Sequence, residues 1–276
     1  MTRTVLIPSS LTRETENMRM ATLKLGYIAR AAAIFNIDRL CIFPDLPGEG
    51  DLGMEFISTV LGYAVTPPYL RKEIWGQRPE LAYAGVLPPL RILPQAGSGS
   101  EDSESLRQGI VTQVGPDNRG WVICGLQNPI SLTIPTNMDI VEGQRVSVRI
   151  SSEKPVRARL LTDSIPGILV ENTDLESALE CNDAGIRIAA SRYGTLLENK
   201  NLDGLITRVK REGMTVAFGA PGRGLPTILG LDPIEILEPD IPGPKFDCWL
   251  NTIPNQGSET VRTEEAMIAS LALFSL

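Results

Sequence analysis

The order of apolar and polar positions divides the chain into three stretches with different rhythms. Residues 1–88 alternate short apolar runs with longer runs of helical period. Thr4–Pro8 (TVLIP) reads as a short buried strand, and Arg39–Phe43 (RLCIF) as a second, ended by Pro44 and the Gly-rich PGEGDLG. Between them Leu25, Ile28, Ala32 and Phe35 recur at spacings of three and four, which predicts a helix. Ile57, Val60, Leu61 and Ala64 repeat that period and predict another. Strand, helix, strand, helix implies a parallel sheet with crossover helices.

Residues 89–163 behave differently. Pro88, Pro89 and Pro94 lead into the polar AGSGSEDSES (96–105), the mark of a boundary or exposed loop. Short alternating runs follow at Gly109–Val114, Trp121–Cys124, Ile130–Ile134, Gln144–Ile150 and Val156–Leu161, separated by GPDNRG and PTNMD. Five strands at this spacing predict a small OB-like β-barrel. From residue 164 the α/β rhythm returns. It gives a short helix around Thr173–Leu179, a strand at Gly185–Ala190 and a helix at Asn201–Arg211. Strands at Met214–Phe218 and Phe246–Asn251 and a closing helix from about Arg262 complete it. The expected architecture is one α/β domain (1–88 and 164–276) with the barrel (89–163) inserted in a loop.

Composition narrows the chemistry. Among 276 residues there is no histidine, which excludes a Ser-His-Asp or Cys-His nucleophile, an imidazole base and a His-ligated metal. Cys41, Cys124, Cys181 and Cys248 are far apart and sit among apolar residues, so buried reduced thiols are expected and no metal site. MTRTVLIPSS lacks the long apolar core of a signal peptide, and Ala266–Leu276 is too short to cross a bilayer. A soluble, cytoplasmic protein without membrane attachment is expected.

A formal net charge of −7 argues against bulk electrostatic binding to nucleic acid, but the charge is uneven. Between residues 145 and 159, Arg145, Arg149, Lys154, Arg157 and Arg159 meet a single acid, Glu153. Alternate members of that set face one way on strands and suit a phosphate backbone; a solvated outer face fits the pattern equally.

In open α/β sheets ligands bind beyond the carboxyl ends of the strands. Here three strand-end loops stand out: Ala190–Ser191 leading to Gly194, GAPGRGLP (219–226), and TIPNQGSETVRTEE (252–265). GAPGRG has neither the spacing of a dinucleotide fingerprint nor a Walker ending, which disfavours a nicotinamide enzyme or an NTPase.

These loops carry a resemblance. FGAPGRGLP followed by NTIPNQGSETVRTEEAMIASLAL resembles the second and third motifs of the SPOUT (SpoU–TrmD) RNA methyltransferases. LGYIARAAAIFNIDRLCIF (25–43) resembles the first, whose catalytic Arg falls on Arg30. The ending, the ARAAAIF segment and the β insertion are most similar to the archaeal and eukaryotic branch whose eukaryotic members are associated with methylation at uridine N3. The resemblance implies a C-terminal trefoil knot, a homodimer packed through it, and S-adenosylmethionine held among the three loops. By motif, the cofactor contacts fall on Ala190, Ser191, Gly194, Gly219, Gly224, Thr252, Ile253, Gly257, Thr260 and Val261.

The acceptor side departs from the SpoU pattern: Lys24 and Arg262 stand where asparagines are usual, and Pro221 occupies the acidic position of the second motif. Arginine is no base at neutral pH, but a fixed guanidinium stabilises negative charge developing on a uridine imide or ribose oxygen. Arg30 and Arg262 are the candidates for that work. Glu264 or Glu265 would either accept the proton or simply complement the dipole of the last helix. The resemblance implies a methyltransferase acting on a uridine (N3 or ribose 2′-O) of ribosomal or transfer RNA. The alternative is a non-catalytic knotted dimer that binds RNA or the ribosome with a vestigial cofactor site.

Overall fold

The computed structural model describes residues 1–90, 92, 105–153, 155–162, 165–197, 199–237 and 243–276. Along the chain the strands are β1 (Arg3–Pro8), β2 (Arg39–Phe43), β3 (Ser105–Val114), β4 (Arg119–Ile123), β5 (Ile130–Thr133), β6 (Arg145–Glu153), β7 (Val156–Leu161), β8 (Leu169–Asn172), β9 (Ile186–Leu196), β10 (Met214–Ala217) and β11 (Cys248–Asn251). The helices are α1 (Met18–Ile34), α2 (Met54–Val65), α3 (Pro68–Trp75), α4 (Leu175–Glu180), α5 (Asn199–Glu212), α6 (Leu225–Leu229) and α7 (Thr263–Phe274). They form two compact units. The first comprises Met1–Ala64, Glu80–Leu90 and Ile168–Leu276; the second comprises Val65–Pro79 and Arg91–Gly167.

The first unit is built on a six-stranded sheet of order β11-β9-β10-β1-β2-β8, parallel throughout. Parallel strands are covered on both faces, which explains their continuous apolar runs: Val5, Leu6 and Ile7 of the central strand are wholly buried. β8 (LVEN) is half polar and sits at the edge, so its sequence gave no strand signal.

Helix α1 starts where the Asn17 side chain accepts from Met20 N (3.0 Å) and ends before Asn36, which adopts positive φ. It buries Ala21, Leu25, Ile28 and Ala32, and packs on α7. Helix α7 buries Met267, Ser270, Leu271 and Phe274, one face at helical spacing.

The second unit is an antiparallel sheet of order β5-β4-β3-β6-β7. Val111, Val122, Leu132, Val146, Val148 and Leu160 fill its interior. Irregularities in β3 after Val111 and in β6 after Ile150 bend the sheet, and its edge strands β5 and β7 come into contact, giving a near-barrel. Helix α3, which the sequence placed with the α/β part, packs on β3 here, and Tyr69 Oη donates to Gln108 O (3.0 Å).

The four cysteines differ in environment. Cys41 and Cys124 are buried and Cys248 is partly so, but Cys181 is exposed, against expectation, because it terminates the short α4. Among the described residues no helix is long and apolar enough to cross a membrane, and no three His, Cys, Asp or Glu side chains converge as metal ligands.

Candidate active site

The carboxyl ends of β9, β10 and β11 lie side by side, and their loops enclose a cavity of about 340 Å³. Its first wall comes from an interruption in β9. Pairing with β11 jumps from Ala189↔Trp249 to Thr195↔Leu250, so the intervening residues of β9 have no partner on β11. The sequence placed the strand's end at Ala190; the strand instead resumes beyond this bow and runs to Leu196. The bow can rejoin only because Gly194 lacks a side chain. A Cβ there would lie 2.6 Å from Leu250 N and 2.7 Å from Trp249 C, inside the backbone of β11.

The second wall is the turn after β10. Ala220 and Arg223 exchange backbone hydrogen bonds (2.9 and 3.0 Å) around Gly222 at positive φ. Arg223 reaches across to β2's loop and makes a two-pronged ion pair with Asp45, Nε to Oδ2 at 2.8 Å and Nη2 to Oδ1 at 2.9 Å. Burial alone would push the Asp45 carboxyl up, but the Arg223 hydrogen bonds, helped by the charge of Arg13, hold it below the ordinary value. The turn is fixed from a second direction by α7, where Thr263 Oγ1 donates to Gly219 O (2.7 Å).

The third wall follows β11. Asn251 ties two loops, its Nδ2 donating to Arg192 O (2.9 Å) and its Oδ1 accepting from Ile253 N (3.0 Å). Thr252 and Ser270 share a hydroxyl hydrogen bond of 2.7 Å. Arg192 lies over the Tyr193 ring (4.9 Å), donates to its hydroxyl (2.8 Å) and reaches Glu259 O at 3.3 Å.

Of the residues expected to hold a cofactor, Ala190, Ser191, Gly219, Gly224, Thr252, Ile253, Thr260 and Val261 line this cavity. Gly194 and Gly257 do not. Gly194 serves the β9–β11 approach instead. Gly257 is exposed, and a Cβ there would meet no protein atom within 4 Å. The two arginines assigned to catalysis also lie outside the cavity walls. Arg30 projects from α1 and donates to Pro89 O. Arg262 is exposed at the start of α7, where its backbone N–H is capped by Glu265 Oε2 at 2.9 Å. Glu265 is thereby committed to the cap. Glu264 is buried 3.4 Å from the ammonium of Lys24, which also pairs with Glu14. Sequence reasoning missed Asp45, Arg223, Arg192 and Tyr193. Arg223 had a signal in its place between the glycines of GAPGRG, and Arg192 and Tyr193 in their place in the first strand-end loop; Asp45 had none.

With glycines and short hydroxyl or apolar side chains on its walls and charge carried by few residues, the cavity suits a nucleoside-sized ligand recognised mainly by backbone groups. Adenine recognition of that kind needs no histidine, and the residues present fit S-adenosylmethionine.

The second unit carries the basic residues. Arg149, Arg157 and Arg159 line a groove of about 420 Å³ where β7 meets β5. Arg149 stands directly opposite Arg159 across the β6–β7 ladder. Arg145 leaves the expected stripe: its guanidinium is turned onto Gln108 Oε1 and half buried, which lowers its pKa. Lys154 lies outside the described residues.

Comparison with known proteins gives a consistent family. Two uncharacterised proteins, from Halobacterium salinarum and Haloarcula marismortui, are 57% and 56% identical over 100% of this chain and 99% of their own length. The 28S rRNA (uridine-N(3))-methyltransferase of Homo sapiens is 28% identical over 98% of this chain and 77% of its own length. The family described as "Putative RNA methyltransferase" matches residues 2–274, nearly the whole chain. Similarity of that extent, over both compact units, makes this chain an enzyme of that RNA methyltransferase family.

Proposed function

We propose that this chain is an S-adenosylmethionine-dependent methyltransferase of a uridine, at N3 or the ribose 2′-hydroxyl, in ribosomal or transfer RNA, working as a cytoplasmic homodimer. The observation that carries this reading is the convergence of the three motif-bearing loops on one glycine-lined cavity. In it Ala190, Ser191, Gly219, Thr252, Ile253 and Val261 would hold the cofactor, which supplies an activated methyl group when bound. The protein's part is to orient the acceptor and to stabilise the charge left when its proton departs. Uridine N3 is the preferred acceptor because the human, mouse and fly relatives are named for that position.

The finer points of architecture belong to the same proposal. The order β5-β4-β3-β6-β7, with β5 and β7 in contact, accords with an OB-type barrel, a module that binds single strands or loops. Arg149, Arg157 and Arg159 would grip the RNA backbone there. A C-terminal trefoil knot accords with β11 lying outside β9 and α7 returning to α1. Dimerisation accords with Met20, Tyr27 and Ile34 of α1, exposed at heptad spacing around Arg30, which would enter the partner's site rather than its own.

Calorimetry with S-adenosylmethionine and S-adenosylhomocysteine, followed by methyl transfer to RNA from a strain lacking the gene, tests this. Nucleoside mass spectrometry then identifies the product. Tight cofactor binding without methylated RNA points to a non-catalytic RNA binder; no cofactor binding ends the proposal.

A further inference from the structure

Among the described residues, four ionisable side chains line the cavity: Arg192, Tyr193, Arg223 and Glu259. Arg192 is occupied by Glu259 O and by the ring and hydroxyl of Tyr193. Arg223 is placed differently. Its Nε and Nη2 are taken by Asp45, whose side chain is only 1% exposed, while Nη1 has no hydrogen-bond partner among the described residues. The locked guanidinium stands two residues beyond Pro221, the position where an acid is usual. The turn GAPGRG carries no carboxylate of its own, and its one charged side chain is this fixed cation.

We propose that Arg223 is a catalytic residue that donates from its free edge to a uracil carbonyl, and that Asp45 is the positioning residue that aims it. The proposal rests on the reading of the chain as a uridine methyltransferase. At N3 the chemistry has a definite electrostatic demand. The N3–H proton passes to solvent at the cavity mouth, and the N3 electron pair forms the new bond to the methyl carbon. The sulfur–carbon bond breaks with its electron pair left on sulfur, which becomes neutral. Negative charge therefore develops on the uracil carbonyl oxygens before transfer, and a guanidinium, always protonated, stabilises it without entering the proton balance. The same edge is selective. It offers only donors, which complement the carbonyl at uracil C4 and repel the amino group of cytosine at the equivalent position. Asp45 stays ionised well below neutrality, so the lock persists at every working pH.

The test uses the full-length protein and Arg223→Met, Arg223→Lys and Asp45→Asn. In the binding arm, S-adenosylhomocysteine-loaded protein is titrated with decauridylate and decacytidylate. Wild type should prefer decauridylate by about tenfold, and Arg223→Met should erase the preference while its affinity for S-adenosylhomocysteine stays within about threefold. In the transfer arm, Arg223→Met should lower the rate on RNA from the gene-deleted strain by about 10²–10³-fold. It should also displace the alkaline rise in rate towards the pH at which free uridine ionises. Arg223→Lys keeps the charge but loses the fork, and should retain part of both effects. Asp45→Asn should lose roughly 10–100-fold through misplacement, with its pH profile unmoved. An unchanged base preference in Arg223→Met overturns the inference, as does loss of cofactor affinity in proportion to rate. If wild type transfers no methyl group, the proposed function falls, and the binding arm alone then decides the role of Arg223.

Discussion

Replacing Gly194 with alanine tests the construction of the cavity at its tightest point. The added Cβ would sit 2.6 Å from Leu250 N, whereas ordinary contact begins near 3.4 Å, so β9 and β11 must part by about 0.8 Å. The obstacle is backbone on both sides, which cannot rotate away as a side chain would. Overpacking of this kind costs up to about 3 kcal/mol, equivalent to a fall in melting temperature of up to roughly 5 °C for a chain of this size. Because Leu250, Asn251 and Thr252 continue directly into the third cavity wall, the same displacement should weaken S-adenosylhomocysteine binding. Gly257→Ala is the control. Its Cβ meets nothing within 4 Å, so stability should change by less than about 0.5 kcal/mol. Thermal melts with and without ligand, on both variants, give the comparison. If Gly194→Ala melts within about 2 °C of wild type, the close approach of the two strands is wrong, and with it the account of how the β9 bow is held.

Four further outcomes are expected. Arg30→Ala should abolish methyl transfer while leaving cofactor affinity within a few-fold; surviving turnover removes Arg30 from catalysis. The double variant Arg157→Glu/Arg159→Glu should weaken RNA binding evenly across sequences and reduce the salt slope by about two; unaltered binding shows that the barrel groove is not the RNA face. Native thiol titration at pH 7.5 should show one fast cysteine, lost in Cys181→Ser, because burial pushes the Cys248 thiol up to about 11 and raises Cys41 and Cys124 as well. Since the folded Asp45 carboxyl lies below its ordinary 3.8, its pair with Arg223 stabilises the fold fully above that pH and loses its contribution as acid titrates it. The gap in urea midpoint between wild type and Asp45→Asn should therefore stay constant from pH 8 to 5 and close below about 3.8; a gap that persists in acid refutes the pairing.

What the sequence revealed followed from local periodicity. TVLIP, RLCIF and MTVAF are mainly apolar because β1, β2 and β10 lie inside a parallel sheet, and such runs announce themselves. The barrel strands were equally legible, since Val146, Val148 and Ile150 recur at every second position and all belong to the interior cluster. Long-range pairing left no trace. Asp45 and Arg223 are 178 residues apart, and nothing in PDLPGEG says that its aspartate will hold a distant guanidinium. Arg145 shares the spacing of its basic neighbours, yet the cover of Gln108 decides where it points. The motif placed Gly194 and Gly257 alike, but only three-dimensional proximity to β11 distinguishes the glycine pressed against backbone from the one with no protein atom near it.

Strand β1 is slow to gain its full set of neighbours. β1 pairs on one side with β2, a few dozen residues later, and on the other with β10, about 200 residues later. At ~5–20 residues per second on the ribosome, that flank stays bare for roughly 10–40 s. During this interval Val5, Leu6 and Ile7, which end with no exposure at all, present an apolar edge open to any other nascent strand. Synthesis in a foreign host should therefore lose more chains to aggregation when elongation is slow between β2 and β10 than when it stalls after β10, where the centre of the sheet is already closed.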